Sequence, residues 1–303
     1  MENRHQNSLA TLITFTTEVQ KDSLVVFSSP TDTGVKINQG RNGSRLAPKA
    51  IISTLMKLNK HQAQQNIEVI EVTNRNSEET GLIQAQDRSA KKIAKILLTN
   101  SNHRYIHLGG GHDHAYPLLK GIQESGRFKN ILTINIDAHA DTRIDKVHHS
   151  GTPFRNFDEV STLPHHIIQY GLHKFANSPA TMSDLKQTKQ NIFYFDQLRT
   201  TTESFSRLPT DIFKALDFTP NKETAIFFSL DCDAIDASVM KAVSAVNCNG
   251  LSLEHIQLLM EKVEDHFPEA TLFFGIYEYN PVYDDLSQLG ARSISSLIYK
   301  TLK

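Results

Sequence analysis

Apolar residues in this chain fall mostly into short unbroken runs separated by polar, turn-forming stretches. Eight runs have the length and the β-branched or aromatic content of strands buried on both faces: Leu24–Phe27, Ile67–Ile70, Tyr105–Leu108, Ile131–Ile136, Ile167–Leu172, Ile192–Phe195, Ala225–Asp231 and Thr271–Ile276. Helical patterns lie between and around them. Ala47-Pro48 opens a helix to about Asn59, proline being tolerated in a first turn. Ser77 with Glu78-Glu79 caps a long helix ending near Leu98, and further helices are predicted over Ala115–Gln123, Asp184–Lys189, Asp211–Leu216, Leu253–His266 and Leu286–Leu302. A short helix is predicted around Leu9–Phe15, whereas Ser28–Ser44, rich in Gly, Asn and Asp, reads as a loop. Strands alternating with helices predict an α/β chain with a mostly parallel sheet covered on both faces. No Pro/Ser-rich linker, charge block or internal repeat divides it, so residues 1–303 are expected to form one domain behind a polar N-terminal extension, 1–22.

Composition narrows the function. The formal net charge is −1, which implies no general attraction to nucleic acid or to an anionic membrane. No segment approaches the ~18 consecutive apolar residues of a spanning helix, and Met1–Asn7 lacks the charged-then-apolar layout of a signal peptide. With only Cys232 and Cys248, a disulfide framework is excluded. A cytoplasmic enzyme acting on a small molecule, assembled as a homo-oligomer, is the expectation.

The candidate chemistry gathers where strands end, the edge at which ligands bind in open parallel sheets. Ile131–Ile136 runs into Asp137, His139 and Asp141. At i, i+2 and i+4 of an extended segment these side chains share one face. Carboxylates so close repel each other, and a divalent cation between them removes the repulsion. Tyr105–Leu108 is closed by Gly109-Gly110-Gly111-His112, a tight strand-to-helix turn with no Lys-Ser/Thr to complete a phosphate loop. The run ending in Ser229-Leu230-Asp231-Cys232-Asp233 again places carboxylates at i and i+2, with Cys232 facing the other way and Asp236 in a position to brace them. Each cluster alone has an ordinary structural explanation. Together they offer two His and four Asp, a donor set rich in carboxylate and lean in thiolate. It suits a pair of ions such as Mn²⁺ better than a structural zinc. Two ions about 3.5–4 Å apart can lower the pKa of a shared water, which points to hydrolysis at an electrophilic carbon.

These motifs, a Gly-Gly-x-His, an Asp-Ala-His-x-Asp and a Ser-x-Asp-x-Asp-x-x-Asp in that order, resemble those of the ureohydrolase (arginase/agmatinase) family over nearly the whole chain. The resemblance implies a three-layer α/β/α sandwich around an eight-stranded parallel sheet, with two Mn²⁺ per chain. His112, Asp137, Asp141 and Asp231 would hold one ion. Asp137, His139, Asp231 and Asp233 would hold the other, with Asp137 and Asp231 bridging. Glu278, in Glu278-Tyr279-Asn280-Pro281, matches a family glutamate that pairs with a cationic amidine or guanidinium, and Asp141 is the implied proton carrier.

Substrate choice turns on charge. Arg143 follows Asp141 by two residues, and Arg155 lies in Ser150-Gly151-Thr152-Pro153-Phe154-Arg155. Two guanidinium groups would hold carboxylates and repel an amine tail. These pieces, with Gly171-Leu172-His173-Lys174-Phe175-Ala176-Asn177, resemble the formimidoylglutamase branch, which converts N-formimidoyl-L-glutamate and water to L-glutamate and formamide in histidine degradation. Asn177 is a candidate extra donor to the substrate. There are departures: Ser150 stands where arginases and agmatinases carry a proton-shuttling His, and His149, one residue earlier, is the catalytic candidate in its place. Ala237 replaces a usual proline, and Val243–Asn247 lacks another. The alternatives are an agmatinase or other guanidino-acid hydrolase releasing urea and, more remotely, a metal-free binding protein.

Overall fold

The computed structural model describes residues 6–61, 63–73, 81–182, 185–198, 213–214, 216 and 218–302. Each of the eight apolar runs forms a strand: β2 (Leu24–Ser29), β3 (Ile67–Glu71), β4 (Arg104–Gly109), β5 (Asn130–Ile136), β6 (His165–Leu172), β7 (Thr188–Tyr194), β8 (Thr224–Asp231) and β9 (Thr271–Tyr277). A further strand, β1 (Ile13–Phe15), pairs with β3, Ile13 opposite Ile67. All pairings are parallel, in the order β1-β3-β2-β4-β9-β8-β5-β6-β7. The sheet therefore has one strand more than the eight expected. The addition is short and lies at an edge, which leaves the architecture unchanged.

Alternating side chains along these strands feed two separate cores. Val26, Ile106, Ile134, Phe228, Phe274 and their neighbours pack on one face against helices α2 (Ala47–Leu55), α7 (Leu253–His266) and α8 (Leu289–Thr301). Val25, Tyr105, Ile131, Phe227 and Phe273 pack on the other against α3 (Leu82–Thr99), α4 (Ala115–Glu124) and α5 (Pro153–Val160). The result is the three-layer α/β/α sandwich. Each Leu, Ile or Phe so enclosed contributes roughly 1.5–3 kcal/mol. Two short helices, α1 (Thr33–Ile37) and α6 (Phe195–Leu198), complete the named elements.

Several local expectations are corrected. Leu9–Phe15 is not one helix: Leu9–Thr11 makes a single 3-10 turn, and β-branched Ile13 and Thr14 then join the sheet edge. The N-terminal segment is thus partly built into the domain. The helix expected at Asp184–Lys189 gives way to β7 from Thr188, and residues 183 and 184 lie outside the described residues. The cause is Asp158, whose carboxylate accepts the backbone N–H groups of Lys186, Gln187 and Thr188 and so starts the strand. The expected cap at Ser77-Glu78-Glu79, and residues 211, 212 and 215 of the helix expected at Asp211–Leu216, also fall outside the described residues. Helix α5 carries no strong sequence signal. It forms with Pro153 in its first turn and Phe154 and Phe157 buried against the sheet.

The strand order places β4, β9, β8 and β5 side by side in the centre, although β8 and β9 come late in the chain. Their registers match Leu108 with Ile276, Leu230 with Ile276 and Ile136 with Leu230. The residues that follow these four strands consequently leave the sheet at one height, in a crevice at the carboxyl edge.

Candidate metal centre

His112 is delivered by the turn after β4. A Cβ on Gly110 would lie 2.1 Å from the Thr31 carbonyl oxygen, so only glycine lets this turn pack against the neighbouring loop. The His112 backbone N–H donates to Glu278 Oε1 (2.9 Å), and its Nε2 meets Ser229 Oγ (2.8 Å). The ring stacks on Tyr277 at 4.9 Å and is fully buried. With Nε2 held by the hydroxyl, Nδ1 is turned toward three carboxylates: Asp141 Oδ2 at 2.9 Å, Asp231 Oδ2 at 3.1 Å and Asp137 Oδ2 at 3.2 Å. A second group stands beside the first. His139 Nδ1 lies 3.0 Å from Asp233 Oδ2 and 3.5 Å from Asp137 Oδ1. The two oxygens of Asp137 therefore face different clusters.

The route by which these side chains converge differs from a simple continuation of the strand. β5 stops at Ile136, and Asp141 adopts a left-handed conformation with φ 52°. The His139 N–H donates to Asp137 Oδ1 (2.7 Å), the Ala140 N–H to Asn177 Oδ1 (2.8 Å), and Gln169 Nε2 to the Ala140 carbonyl (2.9 Å). A folded loop, rather than the pleat, brings Asp137, His139 and Asp141 together. After β8, Cys232–Ala234 likewise forms a 3-10 turn, with Asp231 Oδ1 accepting the Asp233 N–H (2.8 Å). That bond occupies Asp231 Oδ1 and leaves Oδ2, beside His112, as the oxygen that faces the clusters. Cys232 packs in the core, as read from the sequence. Asp236 accepts N–H groups of Ser238 and Gly250 and braces its own loop.

The electrostatics are those of a cation site. Burial by itself disfavours a charged imidazole, but the carboxylates of Asp137, Asp141 and Asp231 gathered at Nδ1 outweigh it and raise His112 well above the ordinary histidine range. His139 is pushed up to about 12: burial opposes the shift, and Asp233 and Asp137 more than reverse it. Asp231 is raised by burial and by Asp233 and Asp137. Glu278, which lines the same cleft, is pushed up to about 8, chiefly by burial. Asp137 Oδ2 and Asp233 Oδ1 are buried and accept no hydrogen bond, an expensive state for carboxylate oxygens. His112, Asp137, Asp141 and Asp231 form one set of donors close enough to share an ion, and Asp137, His139 and Asp233 form another. Nitrogen and carboxylate donors without a thiolate fit a pair of manganese-like divalent ions. Four aspartates also match the charge of two such ions.

The remaining candidates separate. Arg143 lines the cleft with Asn38, Ser150 and Ser244. Arg155 does not: it is buried on α5, with Nε donating to the Thr142 carbonyl (3.1 Å), so the expected pair of arginines is not assembled. Asn177 is spent on the loop, donating to the carbonyls of Ala138 and His173 as well as accepting from Ala140. His149 accepts the Gly151 N–H on Nδ1 (3.0 Å) and turns Nε2 toward Asp145 (3.3 Å), away from the cleft lining. Sequence reasoning gave no role to Ser229, Tyr277 or Asn38. Ser229 could have been found, since it precedes Asp231 by two residues on the same strand and must share its face.

A parallel α/β/α sandwich with paired carboxylate-histidine clusters at its carboxyl edge defines the class, and comparison with known proteins agrees. The "Arginase family" profile matches residues 22–303, and the chain belongs to that family, as a hydrolase of amidine bonds. It is 29% identical over 276 residues to a formimidoylglutamase of Hahella chejuensis, covering 88% of this chain and 81% of the relative. Its fold is similar to the crystal structure of formimidoylglutamase from Bacillus subtilis (TM-score 0.79, 20% identity, covering 98% of this chain and 91% of that one). A Trypanosoma cruzi formiminoglutamase with Mn²⁺ is similar to the same degree (TM-score 0.77, 20% identity, covering 97% of each chain). Among the described residues no helix is long and apolar enough to cross a membrane.

Proposed function

We propose that this protein hydrolyses N-formimidoyl-L-glutamate to L-glutamate and formamide, a step of histidine degradation in the cytoplasm. The observation that carries the reading is the charge polarity of the cleft, a cavity of about 190 Å³. Among the described residues its lining carries Asp141, Asp231, Asp233 and Glu278, all buried, and one permanent cation, the half-buried Arg143. A ligand complementary to it is cationic at the reacting end and anionic at the other. Formimidoylglutamate meets both requirements, whereas agmatine places an amine near Arg143. The relatives named formimidoylglutamase point the same way.

His112, Asp137, Asp141 and Asp231 would hold one Mn²⁺, and Asp137, His139 and Asp233 the other. Bound there, the pair supplies Lewis acidity that makes water a nucleophile at neutral pH. The chain's own groups do the rest. Glu278, fixed through Oε1 by the His112 N–H, pairs with the amidinium and holds the formimidoyl carbon in place. Water adds to that carbon, and Asp141 takes the proton it releases. Asp141 then hands this proton to the glutamate nitrogen as the C–N bond breaks. Arg143 orients a carboxylate of the substrate.

Manganese-loaded protein offered formimidoylglutamate, agmatine, arginine and guanidinobutyrate provides the test. Formamide from the first and little urea from the others is the expected result, with Arg143→Ala mainly raising KM. Rapid urea release, or no manganese by elemental analysis, overturns the proposal.

A further inference from the structure

The outer part of the cleft contains a hydrogen-bonded unit that the metal chemistry does not use. Arg143 Nη1 donates to Asn38 Oδ1 (2.8 Å), and Asn38 Nδ2 donates to Ser150 Oγ (2.9 Å). All three residues line the cleft. The two bonds fix each other's sense. A guanidinium can only donate, so the amide oxygen of Asn38 must face Arg143 and its NH₂ must face Ser150. Ser150 Oγ is then an acceptor in this pair, and its own proton is left to be donated elsewhere. Among the described residues the Ser150 hydroxyl makes no other hydrogen bond.

The backbone around the unit is held from several sides. The Ser150 N–H donates to the Gly34 carbonyl (3.2 Å), and the Arg143 N–H donates to the Gly151 carbonyl (3.0 Å). A Cβ at Gly151 would stand 3.1 Å from Arg143 Cδ, so the arginine side chain runs close along the glycine. Ser150 is 6% exposed, which keeps its hydroxyl largely out of competition with bulk water. A preorganised O–H donor and a guanidinium, linked by one amide, face a common space. An anion with two oxygens satisfies both.

We infer that Ser150 and Arg143 form a carboxylate clamp at the mouth of the cleft, and that Asn38 is the positioning residue that sets both of them. The inference rests on the function proposed above and supplies what Arg155, turned away on its helix, does not: a second donor for the substrate's carboxylate. It also gives Ser150 a purpose of its own. Ser150 is a small donor that leaves room for a carboxylate and selects for it. Asn38→Asp is the sharpest perturbation, because the new carboxylate pairs with Arg143, neutralises it, and cannot donate to Ser150.

The test is calorimetric titration of L-glutamate into manganese-loaded wild type, Ser150→Ala, Ser150→Thr and Asn38→Asp, with formimidoylglutamate kinetics alongside. A lost hydrogen bond to a charged group predicts about tenfold to hundredfold weaker glutamate binding in Ser150→Ala. The same variant should show a matching rise in KM and little change in kcat. Asn38→Asp should bind more weakly still, and Ser150→Thr, which keeps the hydroxyl, should restore most of the affinity. Wild-type affinity in Ser150→Ala, or no glutamate binding by wild type, overturns the clamp. If glutamate binds in a Ser150-dependent way but no formamide is released, the clamp stands and the proposed reaction falls. If formamide is released with an unchanged KM in Ser150→Ala, the reaction stands and the clamp falls.

Discussion

Asp137, Asp231 and Glu278 each stand at, or one residue beyond, the end of a central strand, whereas Arg143 and His149 ride on the connection between β5 and α5 and Arg155 on the first turn of α5 itself. The first set converges and the second scatters: Arg143 reaches the cleft, His149 turns to Asp145, and Arg155 turns to the Thr142 carbonyl. At a strand end the direction of a side chain is inherited from a hydrogen-bonded register shared with both neighbours, as with Asp231 opposite Tyr277. On a connection it is set by whichever partner claims the side chain's polar atoms. Chemistry that tolerates little displacement sits at the strand ends and on the short bonded turns that leave them, and the choice of substrate sits on the longer connection.

The largest effect that would sharpen this contrast is expected at Asp231. Asp231→Asn keeps the volume and an acceptor for the Asp233 N–H but removes a charge from the first cluster. Activity should fall on the order of a thousandfold or more, the scale of losing a Lewis acid, with bound manganese falling below two per chain by elemental analysis. The chelated variant should melt no lower than chelated wild type, because burial beside Asp233 and Asp137 already disfavours this carboxylate. Undiminished activity and metal content would move the chemistry off the strand ends.

Asn177 tests the boundary between the two regions, since it lies on a connection yet holds the loop that carries His139 and Asp141. Asn177→Ala removes three hydrogen bonds to backbone. It should weaken manganese binding by about tenfold to hundredfold, as loss of a supporting partner does, while KM at saturating manganese stays nearly constant. A raised KM with unaltered metal affinity would return Asn177 to the substrate-contacting role that its motif suggested.

The same contrast explains what could be read from the sequence. Eight strands were legible because each is an apolar run buried on both faces, and the six metal-directed side chains were legible because they end such runs. The left-handed turn at Asp141 was not, since no glycine marks it; it follows from bonds to Asn177 and Gln169, residues from other parts of the chain. Nor was β7 at Thr188 foreseeable, because its start is dictated by Asp158, about thirty residues away. Asn38 sits in a loop whose Gly and Asn content announces only a turn. Its importance comes from Arg143 and Ser150, more than one hundred residues further on.

The opposite edge of the sheet should matter for stability and not for chemistry. His165, at the start of β6, is enclosed between Thr133 Oγ1 (2.8 Å) and Thr188 Oγ1 (3.0 Å), and burial pushes it down to about 3. Its folded-state pKa lies below the unfolded value near 6.5, so the unfolded chain takes up the proton first. The stabilisation is complete above pH 6.5 and is lost as pH falls toward 3. Each pH unit in that window removes about 1.4 kcal/mol. The unfolding free energy of His165→Gln, measured against wild type by denaturant titration, should therefore gain about 2 kcal/mol on wild type between pH 6.5 and 5. Taking the difference cancels the metal centre's own titration. A pH-independent difference would mean that folding leaves the protonation of His165 unshifted, and an altered kcat would tie this edge to the reaction.

The smallest effect is expected where the motif suggested a large one. Because His149 Nδ1 accepts the Gly151 N–H, the ring proton must sit on Nε2, which faces Asp145. Neither nitrogen is left to exchange a proton with a substrate, and the ring is absent from the cleft lining. His149→Ala removes one backbone hydrogen bond beside Gly151, whose carbonyl accepts the Arg143 N–H. The disturbance should reach the reaction only through Arg143, as a rise in KM of less than about fivefold with kcat nearly unaltered. A hundredfold fall in kcat would require the 145–151 segment to swing its histidine into the cleft during turnover. Proton transfer would then depend on a mobile connection, and the division between strand ends that react and loops that select would fail at the step where it matters most.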